Sequence, residues 1–486
     1  MSSASVRTPD RRIFQLILLL QIPLLMFVFL TPETFLGFCI VLLGAGCILW
    51  LADDLYRLVF FFVLLISWFP EYSQTDWDVW SADDFHSLYN YKPIPWITAS
   101  VFDYLFALAV LMWIVKVAWP KRHLLLQNFL AKPLLIFIAL SVVSLALGVA
   151  KGYLPYYALR EFRVSAYFVL FYFMALGALD DPQKRTGFLQ LLTWTGIAVG
   201  IVGIIRHRLG IGKEYYGDVL IYYDIADSMV MYVAVFVLAS YWLVRRKAAL
   251  AIAVVSFPLL FSLLFSYRRG AWIACAAGLL VLLWIYRSKK KEAGVRRRWL
   301  APTLVLACAV VAVYSAFNWQ DLLAERVTSI VDVYDDTSNV FRIMDTLNAL
   351  ITFTRHPILG IGSGGQYDFE FYSEAVAPSV FWENASRACH NGYLYILFKM
   401  GIIGFLAYIA IFYKFVRRWI KLRRKNMPGN DQIIYYALGT GVVAILVNNL
   451  TSPVADSLRP ALLLAALMAC VSTAMPSENS IDLHDA

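Results

Sequence analysis

Apolar residues in this chain run in long unbroken stretches and do not alternate with polar ones. Runs of roughly twenty residues, the length that crosses a bilayer as an α-helix, recur at 13–30, 101–119, 133–150, 248–265 and 392–413. These are examples; the whole chain counts 14 spans, or 12 if the shorter runs at 35–51 and 55–69 do not cross. Continuous apolar runs argue against a transmembrane barrel, whose strands alternate apolar and polar positions. The pattern predicts an all-α, polytopic integral membrane protein. Polar segments divide it into an N-terminal membrane part over 1–317, which includes an external loop at 70–98, and a large external segment at 318–391. A C-terminal membrane part with a short tail follows over 392–486. Inside the large segment, Val340, Ile343, Leu347, Leu350 and Ile351 recur at helical period after the potential caps Ser338 and Asn339. Pro357 and Gly360 end that helix, and Arg342 and Asp345 fall on its other face.

Composition agrees with this class. The chain is 60% hydrophobic and 15% charged, with a mean hydropathy of +0.66, far from the balance of a soluble domain. The net charge of +9 does not point to nucleic acid, because the basic residues sit in short connectors between spans. These are Arg7, Arg11 and Arg12; Lys116, Lys121 and Arg122; Lys184 and Arg185; Arg245, Arg246 and Lys247; and the runs 287–298 and 414–425. With each cluster on the cytoplasmic side, an even number of spans separates successive clusters and both termini are cytoplasmic. The basic leader precedes an apolar run with no small-x-small cleavage site after it, so the first span is expected to stay uncleaved. The six cysteines form neither a disulfide framework nor a zinc spacing.

The exceptions to the charge rule carry the chemistry. Arg160, Arg163, Arg206, Arg208, Arg268, Arg269, Arg342, Arg355 and Arg387 fall on the external side. A planar guanidinium grips phosphate oxygens two at a time, so as a set these arginines suit an anion site, although any one of them can simply snorkel to headgroups. Arg268 and Arg269 occupy a tight hairpin in LLFSYRRGAWIA, where Gly270 permits close backbone approach. His390 opens a span directly after the arginine-bearing segment, with Asn391 beside it, and is the candidate base. LGIGSGGQY lacks the Gly-Lys-Ser/Thr of a P-loop and follows no strand. It reads as a turn whose amides approach a ligand or a helix, or as plain loop punctuation. Asp332, Asp335 and Asp336 read as a solvated acidic loop in preference to a cation site. Trp77, Trp80, Tyr372 and Trp382 suit either sugar stacking or the interfacial aromatic belt.

The run from Arg342 through HPILGIG to HNGYLYILFKMGIIGF resembles the Wzy-C-type core of the O-antigen ligase and polymerase superfamily, and covers Arg342 to Tyr408. YRRGAW is similar to that family's Ser-Arg-Gly-type element, with Arg269 in the arginine slot, and LREFRVSAYFVLFYF to its earlier external arginine and following span. Lys399 departs from the pattern, because the family commonly carries an acidic residue there. The resemblance implies transfer of a glycan from an undecaprenyl-diphosphate carrier to a hydroxyl of a glycan or lipid acceptor. The reaction would take place at the outer face of the bacterial inner membrane, with inversion and without metal, nucleotide or other cofactor. Arg269 and Arg342, with Arg163, would bind the diphosphate, and His390 would orient or deprotonate the acceptor. Arg160, Arg268 and Asn391 are further substrate-binding candidates. A transporter or flippase of anionic lipid-linked saccharides is the alternative, and predicts broken helices and charges near mid-membrane. An assembly scaffold would leave the arginine set without a role.

Overall fold

The computed structural model describes residues 54–69, 88–89, 99–118, 125–210, 213–215, 218–220, 225–245, 249–289, 337–368, 370–371, 387, 389–424, 427 and 429–475. The expected spans at 13–30 and 35–51 lie outside the described residues. So do Trp77, Trp80, Asp332, Asp335, Asp336, Tyr372 and Trp382. The described chain forms twelve α-helices. They are α1 (Leu55–Trp68), α2 (Val101–Trp113), α3 (Ala131–Ala150), α4 (Pro155–Ala178), α5 (Pro182–Arg208) and α6 (Ile225–Arg245). Next come α7 (Ala249–Phe265), α8 (Arg269–Lys289), α9 (Thr337–Arg355), α10 (Gly392–Lys421), α11 (Gly429–Asn448) and α12 (Leu458–Ala474). A short antiparallel ladder pairs Lys213–Tyr215 with Asp218–Leu220 between α5 and α6. Seven helices are long and apolar enough to cross a membrane, and four shorter apolar helices accompany them. The all-α, polytopic reading therefore holds.

Local chemistry sets the helix starts. Ser100 and Asp103 form a reciprocal capping box on α2, and α4 and α5 each begin with proline in the first turn. At the centre, α12 is buried from Leu458 to Ser472, as expected of a helix apolar all round. Its exception is Arg459, fully buried, whose guanidinium meets Asp227 of α6 at 2.6 Å while Nε donates to Ile66 O of α1 at 2.6 Å. The pair ties three helices together.

Side-chain contacts define two ends of the bundle. At one end Arg185 clasps Asp431 at 2.9 Å, Arg245 donates to Asn430, and Arg423 lies over Trp284. Basic connectors therefore gather there. At the other end lie Arg459 with Ile66, Arg163 with Asp103, and the start of α10 against the end of α11, where Gly392 N–H donates to Asn449 O. The candidate site residues are all at this second end.

Candidate active site

The segment from α9 to α10 builds the site. Pro357 stops α9 after Arg355. The polar face of α9 points inward: Asp345, Asn348, Ala349 and Thr352 are buried, while Ile343, Leu347 and Leu350 are exposed. The apolar period read from the sequence thus marks the outer face, not the packed one. The reason is backbone supply. Among the described residues the extended stretch after the turn pairs with no strand, and Asn348 Oδ1 accepts from Glu370 N–H and Phe371 N–H at 3.0 and 2.9 Å. Thr352 Oγ1 accepts from Asp368 N–H at 2.9 Å. Outside, Arg355 bridges Asp368 and Glu370 at 2.7 and 2.5 Å, an exposed network that adds little stability.

LGIGSGGQY is the turn between them, and what it approaches is a helix. α10 is broken at Gly401, whose φ of 64° and ψ of −170° belong to a region essentially reserved for glycine. The break strips the carbonyls of Phe398 and Lys399 of their helical donors. Ile361 N–H and Gly362 N–H replace those donors at 2.9 and 3.0 Å. The freed amides of Ile402 and Ile403 donate back to Pro357 O and Ile358 O at 2.8 and 3.5 Å. Ser363 N–H then bonds Ser144 O of α3 at 3.0 Å. No larger residue fits: a Cβ on Gly362, where φ is +92°, would come 2.6 Å from Gly148 N.

Two charges lock this turn. Glu161 of α4 accepts from Gly364 N–H at 2.8 Å and pairs at 2.5 Å with Lys399 of α10, whose Nζ also donates to Gly365 O at 2.6 Å. The side chains are 9% and 3% exposed. Neither residue was singled out for the site from sequence. The one signal was Lys399 standing where an acidic residue is usual.

The turn delivers α9 beside the start of α10, and there His390 meets Asp345. One carboxylate oxygen, Asp345 Oδ2, accepts from His390 N–H at 2.7 Å and lies 3.2 Å from His390 Nδ1. Asp345 is 1% exposed and the histidine side chain 43%, so the imidazole is partly exposed while its carboxylate partner is buried. Phe341 packs edge-on against the imidazole, ring centroids 5.3 Å apart. Burial first, then the Asp345 carboxylate, push the Tyr367 hydroxyl and the Cys389 thiol well above their ordinary values. Both therefore stay protonated beside Asp345. Arg342 lies three residues from Asp345, one turn along α9. Sequence reading placed Asp345 on the face of Arg342 but gave it no role, because its partner is 45 residues away.

The other expected residues are placed as follows. Asn391 caps α10, its side chain accepting from Tyr393 and Leu394 N–H at 3.0 and 3.2 Å. Arg163 pairs with Asp103 at 2.8 Å and joins α4 to α2. Arg269, 8% exposed, opens α8 after a hairpin whose unusual residue is Tyr267, with φ of 51°, not Gly270. Gly270 serves close packing: a Cβ there would sit 2.2 Å from Thr451 Oγ1. A Cβ on Gly392 would likewise meet Asn449 Oδ1 at 2.0 Å. The stretch after α11 thus holds the arginine hairpin and the start of α10 against one surface. Among the described residues no group of three or more His, Cys, Asp or Glu side chains gathers to hold a metal ion.

Arg160 reaches the same region through Asp456, in the loop before α12. Burial first, then the Glu161 carboxylate, push Asp456 up to about 6, against the pull of Arg160, Lys399 and the Tyr395 hydroxyl bonded to it. The folded protein therefore holds a proton that the unfolded chain releases between about pH 4 and pH 6. The stability this proton confers is full below that window and lost as pH rises through 6. Asp456→Asn should flatten the fall in thermal stability from pH 4 to 7 by an amount on the order of 2 kcal/mol. Parallel curves for variant and wild type would remove Asp456 from that role.

Comparison with known families rests on the region just described. Residues 254–409 match the family model Wzy_C, O-Antigen ligase. The matched stretch contains Arg268, Arg269, Arg342, Asp345 and His390, and it extends on the N-terminal side of the Arg342–Tyr408 core. No curated protein matches the chain. The match, together with the membrane-crossing helices, supports an inner-membrane, multi-pass glycan ligase or polymerase in general terms.

Proposed function

We propose that the chain transfers a glycan from an undecaprenyl-diphosphate carrier to the hydroxyl of a glycan or lipid acceptor, at the outer face of the inner membrane. The observation that carries this reading is the Asp345–His390 pair one helical turn from Arg342, inside the family match. Asp345 engages Nδ1, which leaves Nε2 to take the proton of the acceptor hydroxyl. The hydroxyl oxygen then forms the new bond to the anomeric carbon while the carbon–oxygen bond to diphosphate breaks, and the electron pair leaves with the diphosphate. In-line attack inverts that centre. Arg342 and Arg269, with Arg160, Arg163 and Arg268 around them, would bind the diphosphate and stabilise the charge it gains. Asn391 would hold the α10 start beside the acceptor.

Among the described residues, the break in α10 is a feature that leans toward transport. Its position argues otherwise, because the remainder, 402–421, is about 30 Å long and spans a bilayer core alone. The break therefore belongs at the rim. The test is transfer by the purified protein with undecaprenyl-diphosphate-linked glycan as donor. Arg342→Ala is expected to lose about 100-fold in kcat/KM, and Arg342→Lys to recover only part, because an ammonium cannot grip two oxygens at once. The acceptor found in the product separates ligase from polymerase. No transfer by wild type, or full activity in Arg342→Ala, would overturn the reading.

A further inference from the structure

We propose that Glu161 and Lys399 are positioning residues for the Asp345–His390 pair, acting through the glycine turn. The inference rests on the transferase reading for its kinetic arm only. The turn lies between the two pieces that carry the pair. α9 brings Asp345, and the outer part of α10, 392–400, brings His390. That outer part is a separate short helix, because Gly401 interrupts its backbone continuity with the remainder. Its register against α9 is set by the exchange of backbone hydrogen bonds between 357–362 and 398–403. Glu161 and Lys399 grip the far side of the same turn: a carboxylate on Gly364 N–H, an ammonium on Gly365 O, and each on the other.

The grip has a direction. The carboxylate must face the amide and the ammonium the carbonyl, so reversing the two charges would set like against like at both backbone groups. The pair is also internally neutral, which lets it sit nearly buried, whereas a lone charge there would be costly. Lys399, out of keeping with the family pattern, is thus matched here by Glu161 on α4. The geometry assigns the pair to holding the register at which Asp345 Oδ2 meets both His390 N–H and Nδ1.

The test compares wild type with Glu161→Gln/Lys399→Met, which removes both charges together and leaves no lone buried ion. Two readouts are taken. One is steady-state transfer. The other, independent of activity, is the rate at which diethyl pyrocarbonate modifies His390, followed by mass spectrometry of the peptide that carries it. The double variant should lose about 30-fold in kcat with donor KM within about threefold, and His390 should be modified at least about fivefold faster. Lys399→Arg, which still donates to Gly365 O, should retain most turnover, while Glu161→Lys/Lys399→Glu should not recover it. Wild-type kcat and labelling in the neutral double variant would overturn the proposal, as would loss of rate with unchanged labelling or recovery by the charge reversal. If wild type itself transfers nothing, the transferase reading fails while the labelling arm still decides the positioning role.

Discussion

Asp345→Asn is expected to reduce glycan transfer by about 10²–10⁴-fold, the full range of a lost general base, while leaving the fold in place. Asn preserves the shape and can still accept from His390 N–H. It presents its amide or its carbonyl to Nδ1 according to how it turns, and it carries no charge to support an imidazolium. With the amide toward Nδ1, the ring proton moves to Nε2, the atom that has to accept the acceptor's proton. His390→Ala should fall as far, and the double variant little further, because two residues acting as one unit are not additive. Turnover is to be measured at saturating donor and acceptor. Asp345→Asn with more than a tenth of wild-type kcat would show that Asp345 is not the orienting partner of His390.

The second large effect is on stability. Asp227→Asn should cost about 3–5 kcal/mol, the penalty for leaving a buried charge without its counter-charge, because Arg459 is fully buried and its nearest carboxylate lies at 2.6 Å. Against a total stability of about 5–15 kcal/mol, such a loss should strongly reduce the folded protein recovered in detergent. Replacing both members, as Asp227→Leu/Arg459→Met, should restore much of it, since a buried pair exchanged for apolar side chains is often neutral. The measurement is the thermal unfolding midpoint of the purified protein. A midpoint for Asp227→Asn within a few degrees of wild type would show that α1, α6 and α12 are held together by packing alone.

Several elements of this protein were legible along the chain. The uninterrupted apolar runs read directly as membrane helices, because bilayer thickness imposes a length and the solvent imposes a composition. The arginines at one end, the end of α9 at Pro357 and the place of His390 at the start of α10 follow from local pattern. The spacing around Arg269, Arg342 and His390 also pointed to the family whose model matches 254–409.

The rest depended on contacts between distant residues. Asp345 reads as one more polar residue on a helix until His390, 45 residues on, is brought against it. Arg163 reads as one external arginine among several, and its partner Asp103, 60 residues before it at 2.8 Å, appears only in the fold. The inward polar face of α9 inverts what periodicity suggests, since its neighbour is not a core but an extended backbone in need of donors and acceptors. What the sequence alone determined, then, is that the chain is built of membrane-crossing helices and that Arg342, the glycine-rich turn and His390 follow one another along it. Only the tertiary structure decided that a glycine turn completes a broken helix there, and that a buried Glu161–Lys399 pair fastens it. Segment length and composition act residue by residue, whereas hydrogen-bond exchange across a break exists only once both backbones are in place.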